Sequence, residues 1–514
     1  MRLIFLFLAG VISNILYAQK EATHWFFGSQ AGLYFDQAGP TPVKGSAMRT
    51  QDGCAVISDK ETGALLFYSN GRNVWNREHQ LMSNGQDFPV DCWSGITQSA
   101  LIVPFPGNSL KYYLFSIYYT TTLGGSIFIE LNCMYGHYTT AMYRELRYSV
   151  IDMSLNNGLG DVLADQKHVP LQQDVTEKLA AVPHSNGRDY WVITHAFNSN
   201  EFYAYLLTED GIAAPVITAI GSTHALLPDH FHPDEETRGE MKASPDGTRL
   251  ACAVGFMLRP FDLFDFNPTT GQLTNYINLG LVQGQSGLSF SPDNSKLYVT
   301  TDGRPEPTVY PYPDLIIQYD LAAGDEQAVI ASRKSIFRDN PFTNVPEDGI
   351  EGFFGVAKGM QLAPDGRLYA TGDHAYSSSA GQLMVVIEKP NEPGVNCMVN
   401  YKKYDFGSGR VGRGLPNFIQ SYFNGIESGS TCGEEAALSV FPNPTTGIIN
   451  LEMLTGCSSD ASIVVFNALG QRIASFTSDT HQSELDISNW PCGIYFFVLT
   501  TAHTQKVVKR VVKI

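Results

Sequence analysis

The chain has 514 residues, 43% of them hydrophobic and only 17% charged, which excludes a disordered polymer and suits one large domain followed by a small one. Aromatics reach 12%, and 47 glycines with 27 prolines favour many short strands joined by tight turns. The formal charge is −17, and with five basic and five acidic residues cancelling in 438–514, residues 19–437 carry −18 once Arg2 is set aside, so an acidic body without a basic stripe argues against a nucleic-acid partner.

The first 18 residues read as a secretory signal peptide. Arg2 supplies the positive start, Leu3 to Ile12 the apolar run, and Leu16-Tyr17-Ala18 a small residue for cleavage between Ala18 and Gln19. A membrane anchor needs ~20 apolar residues, and Ser13 and Asn14 interrupt this run. Export is therefore expected.

From there one hairpin recurs. Its clearest copies are Ser244-Pro245-Asp246-Gly247 before Arg249 to Ala253, Ser291-Pro292-Asp293-Asn294 before Lys296 to Val299, and Ala363-Pro364-Asp365-Gly366 before Arg367 to Ala370. Proline presets φ, aspartate caps the turn, and glycine or asparagine accepts a positive φ. Looser copies precede Leu65 to Tyr68, Tyr112 to Phe115 and Tyr190 to Ile193. Third strands are expected at Tyr148 to Asp152, Phe202 to Leu206, Phe261 to Phe266, Ile316 to Asp320 and Leu383 to Ile387, with weaker fourth strands such as Leu273 to Leu279 or Ala328 to Ser332.

Four short antiparallel strands per unit, the closest units about 45–47 residues apart, are the signature of propeller blades. Six units are complete. His24 to Gly28, Gly32 to Asp36 and Thr41 to Lys44 at one end, with a strand at Leu415 to Phe423 from the other, make a seventh. The expected fold is all-β: a seven-bladed β-propeller over 19–426 closed by N- and C-terminal strands, which removes exposed edges. An open stack, or six blades with trailing strands, is the alternative. Small polar residues at 427–437 read as a linker, and 438–514 as a compact β-sandwich of immunoglobulin-like type with strands at Ile448 to Met453, Ser462 to Phe466, Arg472 to Phe476 and Tyr495 to Leu499.

Eight cysteines in an exported chain admit disulfides, and Cys92–Cys133 and Cys457–Cys492 are the pairings favoured here. No Cys-x-x-Cys spacing suggests structural zinc, and Cys54 and Cys252 read as buried strand residues.

At the C-terminus Phe441-Pro442-Asn443-Pro444-Thr445-Thr446-Gly447, Asn467-Ala468-Leu469-Gly470-Gln471, Leu485-Asp486-Ile487-Ser488, Gly493-Ile494-Tyr495 and the basic run Lys506 to Lys513 follow one another in order. This series resembles the type IX secretion C-terminal sorting domain of type A. The resemblance implies passage across an outer membrane as folded cargo by the type IX secretion machinery, removal of the domain by a sortase-like peptidase, and attachment to anionic lipopolysaccharide. Cys492 departs from the usual pattern. The body, through Trp25-Phe26-Phe27-Gly28, Leu66-Phe67-Tyr68, Gly187 to Trp191 and Leu415-Pro416-Asn417-Phe418, resembles propeller proteins that such sorting domains carry, a likeness that speaks to fold and brings no chemistry.

In a propeller the long insertions 119–146, 221–239, 301–314 and 337–358 all fall on the face of the second-to-third loops and blade crossings. Long loops gathered on one side of a rigid scaffold are where binding is expected. The candidate ligand contacts there are Trp93, His195, Arg259, Arg304, Asp373 and His374, beside His224 and tyrosines at 118, 119, 135, 138, 310 and 312. Aromatic planes with a few charges suit a glycan or a protein ligand.

His230 and His232, with Asp229 or Asp234, are the candidate metal donors, although no distant third ligand is evident. No nucleophile elbow, His-Glu-x-x-His or phosphate loop appears and no cofactor is expected; an extracellular glycosidase or lyase using Asp229, Asp302, Glu306 or Asp373 is the runner-up to a binding or scaffolding propeller.

Overall fold

The structure is a computed structural model, and it describes residues 20–36, 38–86, 95–123, 126–128, 143–227, 235–255, 258–301, 314–338, 357–372, 382–424, 437–441, 443–454, 461–477, 482–501 and 506–514. The chain forms two compact units that divide between Ser428 and Gly429. Both are all-β. Among the described residues no helix is long and apolar enough to cross a membrane.

Among the described residues the first unit contains seven antiparallel sheets in chain order. The first pairs His24–Phe27, Ala31–Asp36 and Gly39–Pro42, and the second Ala55–Ser58, Leu65–Ser69 and Val74–Asn76. The third begins at Ala100–Pro104, Lys111–Leu123 and Tyr143–Asp152, the fourth at Val175–Pro183, Tyr190–Ala196 and Glu201–Thr208. The fifth runs Met241–Ala243, Arg249–Cys252, Leu258–Phe266 and Leu273–Gln283; the sixth Gln285–Phe290, Lys296–Thr301, Asp314–Asp320 and Lys334–Arg338. The seventh runs Ala357–Leu362, Leu368–Gly372, Leu383–Ile387 and Val399–Lys403.

The repeating hairpins form for the reason the turn chemistry gives. Asp246 Oδ1 accepts from the Thr248 amide at 3.0 Å, Asp293 Oδ1 from Ser295 at 3.0 Å, and Asp365 Oδ1 from Arg367 at 3.1 Å. The next turn residue takes the left-handed conformation, φ +72° at Gly247 and +63° at Asn294, where a β-branched side chain would be strained.

Alternation then buries one face of each strand against the next sheet. Val182, Trp191 and Ile193 of the fourth sheet pack on Leu250, Cys252 and Phe264 of the fifth, and Phe261 and Leu263 on Leu297 and Val299 of the sixth. First strands of consecutive sheets lie side by side from the first sheet to the seventh. Tyr369 of the seventh meets Trp25 and Phe35 of the first edge-on, with centroids 5.7 and 5.6 Å apart.

Two expectations change. Leu415 to Phe423 is not a strand: it makes one parallel bridge, Pro416 to Cys54, and then a 3-10 turn at Gln420–Phe423 that buries Tyr422 and Phe423. The two extremities of the body meet earlier, where the Ser29 amide donates to Arg410 O at 2.9 Å and the Arg410 amide to Ser29 O at 2.7 Å. Ala328 to Ser332 is also not a strand. Asp325 accepts from the Ala328 amide and caps an α-helix, Glu326–Ala331, and the fourth strand follows at Lys334–Arg338.

The second unit packs two sheets, one of Ala437–Phe441, Ile448–Leu454 and Gln482–Asp486, the other of Arg472–Thr477, Ala461–Asn467, Gly493–Thr501 and Lys506–Lys513. Ile449 and Leu451 of one sheet share a core with Ile463, Val465, Tyr495, Phe497 and Val511 of the other, which is a β-sandwich. The sequence motifs hold its edges. Asn443 donates from Nδ2 to Arg510 O at 2.7 Å and accepts on Oδ1 from the Val512 amide at 2.9 Å, fastening the last strand. Asn467 Oδ1 caps its own turn through the Leu469 and Gln471 amides, and Tyr495 Oη donates to Pro491 O.

Candidate functional site

First strands of the fourth, sixth and seventh sheets each carry a bulge at their start, between Val175 and Leu179, Gln285 and Leu288, and Ala357 and Met360. A bulge re-aims the side chains beside it. Here it redirects Glu177 and Lys178 in one sheet and Lys358 in another. Gly287 is required at its bulge because a Cβ there would stand 2.2 Å from the Lys358 carbonyl oxygen of the neighbouring sheet.

These starts interlock. Gln98 Nε2 donates to Leu179 O at 3.0 Å and Met241 O at 3.1 Å, while its Oε1 accepts from the Leu179 and Met241 amides. Asn417 Nδ2 donates to the same Leu179 O at 2.9 Å. The Glu240 amide donates to Ser286 O, Gly359 to Arg413 O, and Arg413 to Gln51 O. Second strands end in the same place, with Thr300 Oγ1 on Lys358 O at 2.6 Å and Thr371 Oγ1 on Arg413 O.

The place is densely charged. Glu177 is fully buried, takes Arg144 Nη2 at 2.9 Å on one carboxylate oxygen, and takes both the Thr97 amide and hydroxyl at 2.8 Å on the other. Lys178, equally buried, donates to the carbonyls of Thr237 at 3.0 Å and Arg238 at 2.8 Å, and burial pushes its ammonium down to about 8.

Asp52 keeps part of its surface exposed, yet the surrounding protein pushes its carboxyl up to about 6 against the pull of Arg413, Arg238 and Lys358. Arg238, Lys358 and Arg413 are themselves partly exposed. Arg413, Arg238, Lys358 and Glu177 thus act on the Asp52 carboxyl, and Glu177, Arg144 and Glu236 act on the Lys178 ammonium.

His195 and Arg259 are the two candidate ligand contacts that lie within the described residues. His195 is fully buried on Tyr190–Ala196, its ring stacked on His224 and edge-on to Phe202 at 4.6 Å. Arg259 pairs with buried Glu236, whose other oxygen accepts from the Ala225 amide at 2.7 Å; the carboxylate therefore ties together both ends of the 225–236 connection. Trp93, Arg304, Asp373, His374, the metal candidates His230 and His232, the cleavage pair Ala18 and Gln19, and Cys92, Cys133 and Cys457 lie outside the described residues. Cys492 is a free, exposed thiol and Cys54 and Cys252 are free and buried. No group of three or more metal-donor side chains is present among the described residues.

Sequence reasoning missed Asp52, Glu177, Arg238, Lys358 and Arg413. Their shared signal is position: each stands just before or at the start of a first strand, or where the body's last segment reaches those starts. At the opposite end a cavity of about 330 Å³ lies between His24, Tyr34, Thr41, Val43 and Thr62, and it gathers no charged side chain.

Comparison with known proteins bears on both units. Residues 439–513 match the family described as secretion system C-terminal sorting domain. The chain therefore carries a type IX sorting domain, which directs it to the secretion machinery and on to the extracellular or outer-membrane surface. A lactonohydrolase of Aspergillus oryzae is 30% identical over 153 residues, 27% of this chain and 29% of that protein; the chain thus spans under a third of this curated relative's length. Among solved structures, the periplasmic gluconolactonase of Pseudomonas aeruginosa is 10% identical with a TM-score of 0.36, over 95% of this chain and 98% of that one. The Swd1 β-propeller domain of Myceliophteria thermophila is 12% identical with a TM-score of 0.32, over 68% and 93% respectively.

Proposed function

We propose that the seven sheets close into one ring, a seven-bladed propeller, and that this exported propeller binds a glycan or protein ligand where the first strands begin. Pairwise contacts that run from each sheet to the next, and from Tyr369 back to Trp25, support the ring. The observation that carries the binding reading is the charged basin around Asp52, Arg238, Lys358 and Arg413, beside the bulged start of Ala357–Leu362 and the buried Gln98 staple. Buried polar groups gathered at one end of a rigid scaffold are costly to assemble and typify a site. In this reading the insertions that bear Trp93, Arg304, Asp373 and His374 supply further contacts from the same end, and Ala18 marks the end of a cleaved signal. A sortase-like peptidase and anionic lipopolysaccharide are its partners after export.

A glycan and peptide array probed with the secreted chain tests it. Retention of a ligand, lost in the Lys358→Met variant, is the expected result; retention that ignores Lys358 would place the ligand elsewhere. A second reading, hydrolysis in the same basin, draws on the partial likeness to a lactonohydrolase and on a carboxyl at Asp52 held near 6, where it can exchange protons close to neutrality. Turnover of a sugar lactone, abolished by Asp52→Asn, would favour that reading over simple binding.

A further inference from the structure

We propose that the outer face of the four-stranded sheet in the second unit is where a protein of the export machinery docks, and that this partner presents an apolar ridge flanked by carboxylates. Side chains of that sheet alternate. Val465, Phe497 and Val511 enter the sandwich core, so the residues beside them face outward. The outward face of such a sheet is ordinarily polar. This one is not. Val464, Val498 and Val508 stand opposite one another across three strands, and Ile494 stands opposite Val512. Val508 is 54% exposed and Ile494 39%. Between these rows lies a third, Arg472, Phe466, Phe496 and Arg510, one residue from each strand.

Charge is sorted between the two sheets. The four strands of this one hold all five basic residues of 438–514 and no aspartate or glutamate, whereas the other sheet holds Glu452, Glu484 and Asp486 and no lysine or arginine. Arg472 and Arg510 are exposed, and neither guanidinium has a hydrogen bond or ion pair among the described residues. Three strand spacings, about 14 Å, separate them. The partner therefore supplies apolar side chains to the two phenylalanines and a carboxylate to each guanidinium, whose paired N–H donors match one. A second copy of this face offers no carboxylate and would set arginine against arginine. A bilayer fits no better: an arginine outreaches a phenylalanine, so both cations would stop at the headgroups and hold the rings off the acyl layer. The match of residues 439–513 to a secretion sorting domain identifies the occupant, because export machinery must grip such a domain and this face joins exposed apolar area to unpaired charge.

The test places photoreactive p-benzoylphenylalanine at Val508, or for comparison at the equally exposed Ile448 of the other sheet, in the full-length chain within cells that export it. Irradiation should join position 508, and not 448, to a protein of the type IX machinery, at a segment where apolar residues lie beside aspartate or glutamate. Arg472→Gln combined with Arg510→Gln should cut that adduct, and the fraction of chain at the cell surface, at least about tenfold, since a charged hydrogen bond contributes roughly tenfold or more. Arg472→Lys combined with Arg510→Lys should retain most of both. All these chains should melt at the parent's temperature, because neither guanidinium holds the fold. An adduct to a second copy or to lipid overturns the proposal, and so does an adduct or a surface fraction indifferent to the glutamine pair. No adduct at position 508 overturns it as well.

Discussion

His195 and His224 stack face to face, ring centroids 3.9 Å apart and planes inclined by 23°, with neither side chain exposed. Burial pushes His195 down to about 3, aided by Lys178, and holds His224 well below its ordinary value, aided by His195, Lys178 and Arg259. Both rings are therefore neutral in the folded protein and protonate readily only when it unfolds. A lowered folded-state value means the unfolded chain binds more protons below about pH 6.5, so this stabilisation is complete above that value and erodes as the pH falls towards 3. The loss reaches about 1.4 kcal/mol per pH unit for each ring. Urea denaturation at about pH 7 and about pH 5 should show it. The double variant His195→Phe, His224→Leu should have a flatter pH dependence than the parent, and an unchanged slope would show that other groups carry the acid sensitivity.

The same pair shows where sequence reading reached its limit. The sequence reading puts His195 among the long connections, just past the strand expected at Tyr190 to Ile193, whereas it lies buried within the strand Tyr190–Ala196; alternation, even when extended to it, assigns a face and not a depth. Whether that face meets solvent or the next sheet depends on how the sheets pack, which repeats of short strands do not state. The hairpins were legible because the turn itself dictates its residues: aspartate caps and a positive φ at Gly247 and Asn294 leave few substitutes. The basin was not. Asp52, Lys358 and Arg413 are far apart in sequence: Lys358 sits at a bulge, where the period of two that guides strand reading breaks down, and Asp52 and Arg413 lie outside the strands altogether. Leu415 to Phe423 failed for a related reason: Leu415, Phe418 and Phe423 are apolar because they plug the body, and apolar spacing alone does not separate a plug from a strand.

Gln98 is the staple between the third, fourth and fifth sheets. Its carboxamide satisfies both the amide and carbonyl of Leu179 and of Met241. Gln98→Met keeps the volume and takes a partner from the Leu179 amide and from both Met241 groups, while Leu179 O keeps Asn417 Nδ2, each such loss costing about 1–3 kcal/mol before relaxation. A destabilisation of about 3 kcal/mol is expected in chemical denaturation. A loss below about 1 kcal/mol would mean that the strand starts close over the gap by themselves.

Glu177 neutralises Arg144 while both are out of water, at 0% and 1% side-chain exposure. Removing one charge strands the other, at a cost of about 3–5 kcal/mol, whereas removing both costs far less. Glu177→Gln should therefore destabilise strongly and Arg144→Met should recover much of the loss in the double variant. Additive effects of the two substitutions would show that the pair is not coupled, and that Thr97 rather than Arg144 is the partner that matters.

Asn443 offers a test of how the sorting domain's motif relates to its use. Its amide imitates a strand neighbour, giving to Arg510 O and taking from the Val512 amide, so the basic last strand is fastened at the end that carries Arg510 and Lys513. The Thr445 amide adds a parallel tie to Val512 O at 2.9 Å. Asn443→Ala removes the two side-chain bonds and spares the backbone one, for a loss of about 1 kcal/mol because the site is exposed. That is too little to unfold the sandwich but enough to raise the opening of one edge strand about fivefold, since 1.4 kcal/mol corresponds to tenfold. Hydrogen exchange should show faster exchange at Val512 with the interior amides of Ala461–Asn467 unchanged. If the secretion machinery reads the closed edge, the fraction of chain reaching the cell surface should fall in step with that opening. Faster exchange with undiminished surface display would mean that the motif serves the fold of the sandwich and not its recognition.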